Sequence, residues 1–184
     1  YLWDRNYSET RNPEVPSAII ETLSHQNFPD MILGQDPNFK FTLARSIYKS
    51  ILRHTASLHK RPYIVQPLAP DNFRIEYVSK DKVRLKWNGV NDPLEPTAKP
   101  TSYNIYMATG TSGFDNGVNV NGNSYEITLE PNVLYNFRVT ACNHGGESFP
   151  TEVLSAYHKE GAKHTILIVN GFHRLYSPAI IDND

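Results

Sequence analysis

The strongest constraint on the fold is a series of segments, between about residues 63 and 160, in which apolar and polar residues alternate. Such alternation is typical of antiparallel strands that have one face in the core and the other in water. The segments are Asn72–Val78, Lys82–Trp87, Tyr103–Met107, Tyr125–Leu129, Tyr135–Ala141 and Glu152–Tyr157. Because six or seven short strands with turns between them fill about 100 residues, this region is predicted to be a two-sheet sandwich.

The residues before the alternating region have a mixed α/β pattern. The run Ser17–Ser24 is interpreted as a short, mostly buried strand, and Phe28–Leu33 as one or two helical turns that Gly34 ends. Asp36 and Pro37 are suited to the N-cap and first position of a longer helix. Apolar residues at three-four spacing give this helix one buried face, formed by Ala44, Ile47, Tyr48, Ile51 and Leu52.

Taken together, these patterns predict a mainly β protein in three parts. Residues 1–62 are expected to be the C-terminal fragment of an α/β domain, and residues 63–160 the sandwich. Residues 161–184 contain the apolar run Thr165–Val169, which is interpreted as an orphan strand that starts a following domain or docks on another. Since a buried strand needs neighbours, and the chain opens at Tyr1 without a leader, we expect it to be a stretch of a longer protein.

Composition excludes several classes of protein. The 18 basic and 19 acidic residues give a net charge of -1, which argues against a nucleic-acid binder, because such proteins have a basic face. No apolar run approaches the ~20 residues of a membrane span. The single cysteine, Cys142, excludes an internal disulfide framework and a cysteine-rich zinc site.

The most specific residues belong to the alternating region. Trp87 ends its second strand, Leu129 and Pro131 precede Tyr135, and the run Asn143–Ser148 follows the Tyr135 strand. This pattern, over about residues 66–158, resembles a fibronectin type III domain, with a core tryptophan and a corner tyrosine. The resemblance implies a sandwich in which the tyrosine hydroxyl bonds to upstream backbone.

Glu21 is the candidate catalytic residue. A carboxylate on a buried strand costs free energy unless it is paired or bound, so Glu21 is either a site residue or a strand-end glutamate that faces solvent or pairs with Arg11. Pro16, Glu21 and Asn27, followed by the long helix, resemble the C-terminal end of zinc-dependent N-acetylmuramoyl-L-alanine amidases. That resemblance implies that Glu21 assists a zinc-bound water in amide cleavage.

The metal site itself is not expected in this chain. His25, His54 and His59 have no partner at a ligand spacing, so no metal ligands are predicted and the chain alone is expected to be inactive. Zinc would belong to the intact parent protein. Glu21 would act only with the missing part of the domain.

The order of the segments, with the final Leu167–Phe172 run, is similar to bacterial proteins labelled xanthan lyases. Two functions remain open: a spacer or docking module of a cell-wall or polysaccharide-active protein, and a carbohydrate- or protein-binding module. Tyr103, Tyr106 and Tyr125 form a candidate sugar-stacking strip, or else fill the sandwich. An exposed tyrosine cluster would favour binding, whereas a sheet face packed against the helix would favour the spacer.

The resemblances also suggest partners and a compartment. The expected partners are the remaining domains of the parent and peptidoglycan or a polysaccharide, with no nucleic acid and no membrane span. By family analogy the protein is expected to be secreted, periplasmic or at the cell surface.

Overall fold

The computed structural model describes residues 4–169. Their contacts divide the chain into two compact units, one formed by the described residues up to Ile47 and the other by Tyr48–Val169. The second unit contains both sheets of the structure. No helix within residues 4–169 combines the length and the apolar character that crossing a membrane requires.

Three helices lie before the sheets. They are α1 (Ser8–Arg11), α2 (Phe28–Gln35) and α3 (Pro37–Leu58). The predicted start of α3 is confirmed, because the Asn38 backbone N–H donates to Asp36 Oδ1 at 2.8 Å, as an N-cap requires. The helix extends past the apolar face that predicted it, to Leu58.

The strand predicted over Ser17–Ser24 is wrong. These residues have no regular secondary structure and are exposed, including Ile19 and Ile20. An apolar run becomes a strand only when another backbone pairs with it, and no described strand does so. Thr165–Val169 likewise forms no strand and is exposed, and the rest of that predicted segment lies outside the described residues.

Two antiparallel sheets form the sandwich. The first has the order β1-β2-β5, and the second has the order β4-β3-β6-β7, with β8 also pairing with β6. The strands are β1 (Asp71–Tyr77), β2 (Lys82–Asn88), β3 (Ser102–Thr109), β4 (Val118–Val120), β5 (Ser124–Thr128), β6 (Leu134–Asn143), β7 (Gly146–Glu147) and β8 (Leu154–Tyr157). All six predicted strand segments are therefore present, and the short β4 and β7 are additional.

The inward residues of the two sheets meet in one apolar core. Trp87 is 1% exposed and its ring lies 5.5 Å from that of Tyr103, while Phe137 is fully buried. The predicted corner contact of Tyr135 is confirmed, because the Glu130 backbone N–H donates to its hydroxyl at 3.3 Å. This bond fixes the chain where it enters β6.

Candidate functional site

A buried carboxylate lies where the end of α3 meets the sandwich. Glu95, in the loop between β2 and β3, is 6% exposed. Its Oε2 accepts a hydrogen bond from the Tyr63 hydroxyl at 2.9 Å and lies 3.4 Å from Lys49 Nζ on α3. Its Oε1 accepts from Thr97 Oγ1 at 2.8 Å. Both oxygens are thus occupied by donors from three parts of the chain.

These donors decide the protonation state of Glu95. Burial acts to raise its pKa, but hydrogen bonds from Thr97, Tyr63 and Lys49 outweigh burial, so the pKa lies below its ordinary value. The carboxylate is therefore charged at neutral pH. A charged group that is fully occupied by its own chain is suited to holding structure together, since it has no free oxygen to offer a substrate.

Asn143 extends the same contacts to the end of β6. Its Nδ2 donates to the carbonyls of Val65 at 2.9 Å and Thr97 at 3.1 Å, and its Oδ1 accepts from the Gly145 backbone N–H at 2.7 Å. The Val65 backbone N–H in turn donates to Thr97 Oγ1 at 3.1 Å. One amide side chain therefore ties the segment before β1 to the loop that enters β3 and to the turn that leaves β6, which lie at the same end of the second sheet.

Two further contacts bring in α3 itself. The Gln66 backbone N–H donates to the Tyr48 hydroxyl at 3.3 Å, and the Arg53 guanidinium lies over the Tyr63 ring, 5.1 Å from its centre. Ala56, on the same part of the helix, is buried. We call this set of contacts the junction; its residues are Tyr48, Lys49, Arg53, Tyr63, Val65, Glu95, Thr97 and Asn143.

The predicted catalytic residue lies away from the junction in the sequence and has no comparable environment. Glu21 is exposed, in a stretch without regular secondary structure. Among residues 4–169, no group of three or more His, Cys, Asp or Glu side chains is arranged to hold a metal ion. The described residues therefore do not fit a zinc site, and the role of Glu21 stays a prediction.

The three candidate tyrosines lie on different parts of the sandwich. Tyr103 is buried in the core, and Tyr125, on the other sheet, is half-buried against it. Tyr106 lies on the outer face of the second sheet, where its hydroxyl donates to Glu147 Oε1 at 2.6 Å. They do not form one strip, and their binding role stays a prediction.

The outer face around Tyr106 is packed by the chain's own residues. The Arg138 guanidinium lies 5.1 Å from the centre of the Tyr106 ring and 4.2 Å from that of Phe114. A Cβ on Gly117 would lie 2.9 Å from the Tyr106 ring, so this glycine fits closely against it. The hydrogen bond to Glu147, and then burial, raise the pKa of Tyr106. The loop before β4 is thereby held on the sheet.

The junction was not predicted from the sequence. Glu95 lies in the proline-rich loop Asn91–Pro100, and nothing in its local pattern indicates that it is buried. Asn143 was noticed only as part of the type III motif. The one available signal was that Lys49 and Arg53 lie off the apolar face of α3, one turn apart, with no acidic residue nearby in the sequence.

The family of the sandwich follows from its strands and from one comparison. The family model of the fibronectin type III domain matches residues 68–157, which contain every described strand of both sheets. Residues 68–157 form a fibronectin type III domain. The junction lies at the start of this type III domain and adds Tyr48–Leu58 and residues 63–67 to it.

Several solved structures are similar to this chain. A crystal structure of domains from titin is 26% identical, covers 52% of this chain and 33% of that chain, and has a TM-score of 0.45. The FN1 to FN3 domains of chicken CNTN1 are 18% identical, with 51% of this chain and 33% of that chain covered and a TM-score of 0.43. The twitchin kinase region from C. elegans is 21% identical, with 54% of this chain and 18% of that chain covered and a TM-score of 0.47. The chain spans 33% or less of the length of each of these three.

Proposed function

We propose that this chain is a non-catalytic spacer and docking module, in which the end of a helix is built into a type III domain. Type III domains are common non-catalytic modules of multidomain proteins. The observation that supports the proposal is the buried Glu95, which receives hydrogen bonds from Tyr63 and Thr97 and an ion pair from Lys49. The helix is therefore held by the domain instead of being joined to it by a loose tether.

The segment between α3 and β1 also supports a rigid connection. Leu58 is followed by a helix-ending turn in which the Arg61 backbone N–H donates to the Ala56 carbonyl at 2.8 Å. Val65 and Pro67 are then fully buried, and Pro70 is buried as well. A flexible linker would expose such residues and leave their backbone to water. A connection of this kind keeps a fixed geometry between the end of the helix, residues 48–58, and the domain in the same compact unit.

The parent protein proposed for this module is a secreted enzyme of the bacterial cell wall. Its support is the resemblance of the segment around Glu21 and the following helix to zinc-dependent N-acetylmuramoyl-L-alanine amidases. Exposed apolar side chains in the same segment, such as Val15, Ile20 and Phe28, are suited to packing against further protein. Because the described residues do not fit a zinc site, no zinc ligand is assigned to this chain, and its proposed contribution to the chemistry is the carboxylate of Glu21.

The binding-module alternative has less support. In this alternative a ligand would be held by the two long loops of the sandwich, residues 91–100 and 110–123. The first of them contributes Glu95 and Thr97 to the junction and so is occupied by the chain itself. The best-placed ring of this alternative, Tyr106, is packed by Arg138 and Gly117. We therefore place the spacer first.

Glu95→Ala tests the spacer. We expect it to lower the free energy of unfolding by about 1–3 kcal/mol, because Tyr63, Thr97 and Lys49 lose a buried acceptor. Amide hydrogen exchange should become faster in Tyr48–Leu58 while the sheets stay protected. Thermal unfolding and exchange read by mass spectrometry measure the two effects.

Glu126→Ala is the matched control. Glu126 pairs with Lys82 and Arg84 on the outer face of the first sheet, where the partners are partly exposed. Its removal is expected to cost less than about 1 kcal/mol and to leave exchange in α3 unchanged. The spacer proposal would be contradicted if the two substitutions lowered the free energy of unfolding equally. It would also be contradicted if Glu95→Ala left amide hydrogen exchange in α3 unchanged.

The lowered pKa of Glu95 adds a pH dependence to this comparison. The charged form is favoured in the folded state, so its stabilisation is present above the ordinary value of 4.5 and is lost as the pH falls through the lower, folded value. The difference in stability between wild type and Glu95→Ala should therefore shrink below pH 4.5. Denaturant titrations at pH 7 and at pH 3 to 4 measure this change.

Glu21→Gln tests the proposed parent. In the intact protein, we expect release of peptide from peptidoglycan that is abolished by a zinc chelator and reduced in the variant at least about a hundredfold, the scale of a lost general base. Glu14→Gln, another exposed carboxylate of this segment, serves as the control. If wild type releases no peptide, or if Glu21→Gln cleaves equally well, the amidase proposal is wrong while the spacer stands.

A further inference from the structure

Pairs in which asparagine is followed by glycine are places where a protein chain modifies itself. The backbone nitrogen of the glycine attacks the asparagine side-chain amide, and glycine favours this step because it has no Cβ in the way. Three such pairs lie within residues 4–169, namely Asn88–Gly89, Asn116–Gly117 and Asn121–Gly122, and Asn170–Gly171 lies outside them. The surroundings of the three pairs differ, so the fold decides which of them reacts.

The first pair is held by the first sheet and by the core. Asn88 is the last residue of β2 and lies opposite Asp71 of β1. A Cβ on Gly89 would lie only 2.2 Å from the Tyr103 hydroxyl oxygen, so the backbone here packs closely against that side chain. The reaction requires the main chain after the asparagine to rotate until its nitrogen reaches the side-chain carbon. Strand pairing and close packing both oppose that rotation.

The second pair is held through the nitrogen that would attack. The Gly117 backbone N–H donates to Asp115 Oδ1 at 3.0 Å, and the same oxygen accepts from the Met107 backbone N–H at 3.0 Å. The Tyr106 ring packs against Gly117, where a Cβ would lie 2.9 Å from it. The nitrogen next to Asn116 is therefore already bonded, in a loop that is fixed on β3.

The third pair has neither restraint. Asn121 and Gly122 are exposed, in the bend between β4 and β5. Neither the Gly122 backbone N–H nor the Asn121 side chain has a hydrogen bond to another of residues 4–169. A Cβ on Gly122 would have no atom of the described part of the chain within 4 Å. The side-chain amide and the nitrogen that attacks it are thus free to approach each other.

We propose that Asn121 is a modification site, at which the folded protein converts asparagine spontaneously to aspartate and isoaspartate. A bond forms between the Gly122 nitrogen and Asn121 Cγ, the Cγ–Nδ2 bond breaks, and the amide nitrogen leaves as ammonia with the proton of the glycine N–H. Water then opens the resulting cyclic imide at either of its two carbonyls. Water is the co-reactant, and no electrons are transferred. The site is independent of the proposed spacer function.

The conversion changes the connection between the two sheets. Each product carries one more negative charge, on a chain whose net charge is -1. Isoaspartate in addition inserts its side-chain carbon into the main chain. Because β4 ends opposite Tyr103, near the start of β3, this connection lies at the same end of the second sheet as Asn143. The modification therefore records the age of the protein at the end of the sandwich that carries the junction.

The test follows the three asparagines in the same sample. The full chain is kept folded for weeks at a mildly alkaline pH, and a second sample is kept in denaturant. Peptide mapping by mass spectrometry, with fragmentation that distinguishes isoaspartate from aspartate, measures the conversion of each asparagine. Gly122→Ala is the matched variant, because its Cβ enters open space in the fold and hinders the attack. Circular dichroism checks that the first sample and the variant stay folded.

In the folded chain we expect Asn121 to convert at least about tenfold faster than Asn88 and Asn116, which react only when the structure around them opens. In denaturant the three rates should become similar, and Gly122→Ala should slow the conversion of Asn121 in both samples. Equal rates at the three asparagines in the folded chain, or no conversion of Asn121, would overturn the proposal. Rates that remain as unequal in denaturant would show that local sequence makes the selection, and would overturn it as well.

Discussion

Trp87→Ala is expected to lower the free energy of unfolding of the type III domain by about 3–5 kcal/mol, a large share of the roughly 5–15 kcal/mol by which an ordinary domain is stable. Trp87 is 1% exposed and packs between the sheets against Tyr103, so alanine would leave a large cavity that the surrounding strands cannot close. Denaturant unfolding followed by circular dichroism measures the loss.

Trp87→Phe is the informative control for this loss. The buried Trp87 Nε1–H has no hydrogen-bond partner among residues 4–169, so phenylalanine removes an unsatisfied donor together with part of the ring. We expect Trp87→Phe to lower the free energy of unfolding by less than half as much as Trp87→Ala does. A phenylalanine variant as unstable as the alanine variant would show that the indole makes a contact other than packing.

Gly145→Val is expected to be the second most damaging change, at about 3 kcal/mol or more. A Cβ at this position would lie 2.4 Å from the Ile64 carbonyl oxygen, and backbone atoms on both sides would have to separate. The segment 63–67 should then detach from the turn after β6 and take Tyr63 away from Glu95. Hydrogen exchange should rise first in residues 48–67.

Gly113→Val is the matched control for Gly145, because a Cβ at Gly113 would have no atom of the described part of the chain within 4 Å. Its expected effect is below about 0.5 kcal/mol, as for other surface changes. If Gly145→Val unfolds the sheets with no earlier rise of hydrogen exchange in residues 48–67, the junction does not hold residues 48–67 on the sandwich as its contacts indicate.

The sandwich could be predicted from sequence because each strand carries its own signal. The alternating segment Lys82–Trp87 differs from β2 (Lys82–Asn88) by one residue. The spacing of Leu129, Pro131 and Tyr135 predicted the turn in which the Tyr135 hydroxyl accepts a hydrogen bond from upstream backbone. The same reasoning failed for Ser17–Ser24. Apolar side chains report a preference for burial, whereas a strand also needs a partner backbone, which a local pattern does not supply.

The junction could not be predicted for a different reason. Its central contact joins Glu95 to Tyr63, 32 positions earlier, and to Lys49, earlier still. An isolated glutamate between prolines reads as a solvated loop residue, and only the folded chain brings three donors to it. A periodic pattern of apolar residues identifies the buried face of one helix or strand. A polar contact between a helix, a linker and a loop produces no such pattern in the sequence.

The way in which α3 enters the type III domain has a mechanical consequence. Tension applied through the preceding chain reaches the contacts of Lys49, Tyr48 and Arg53 before it reaches any strand. If those contacts yield first, the eleven residues of Tyr48–Leu58 can change from helix to extended chain and lengthen by about 20 Å. The domain would thus carry an extensible element in series with its sheets, which absorbs stretching before the core is strained.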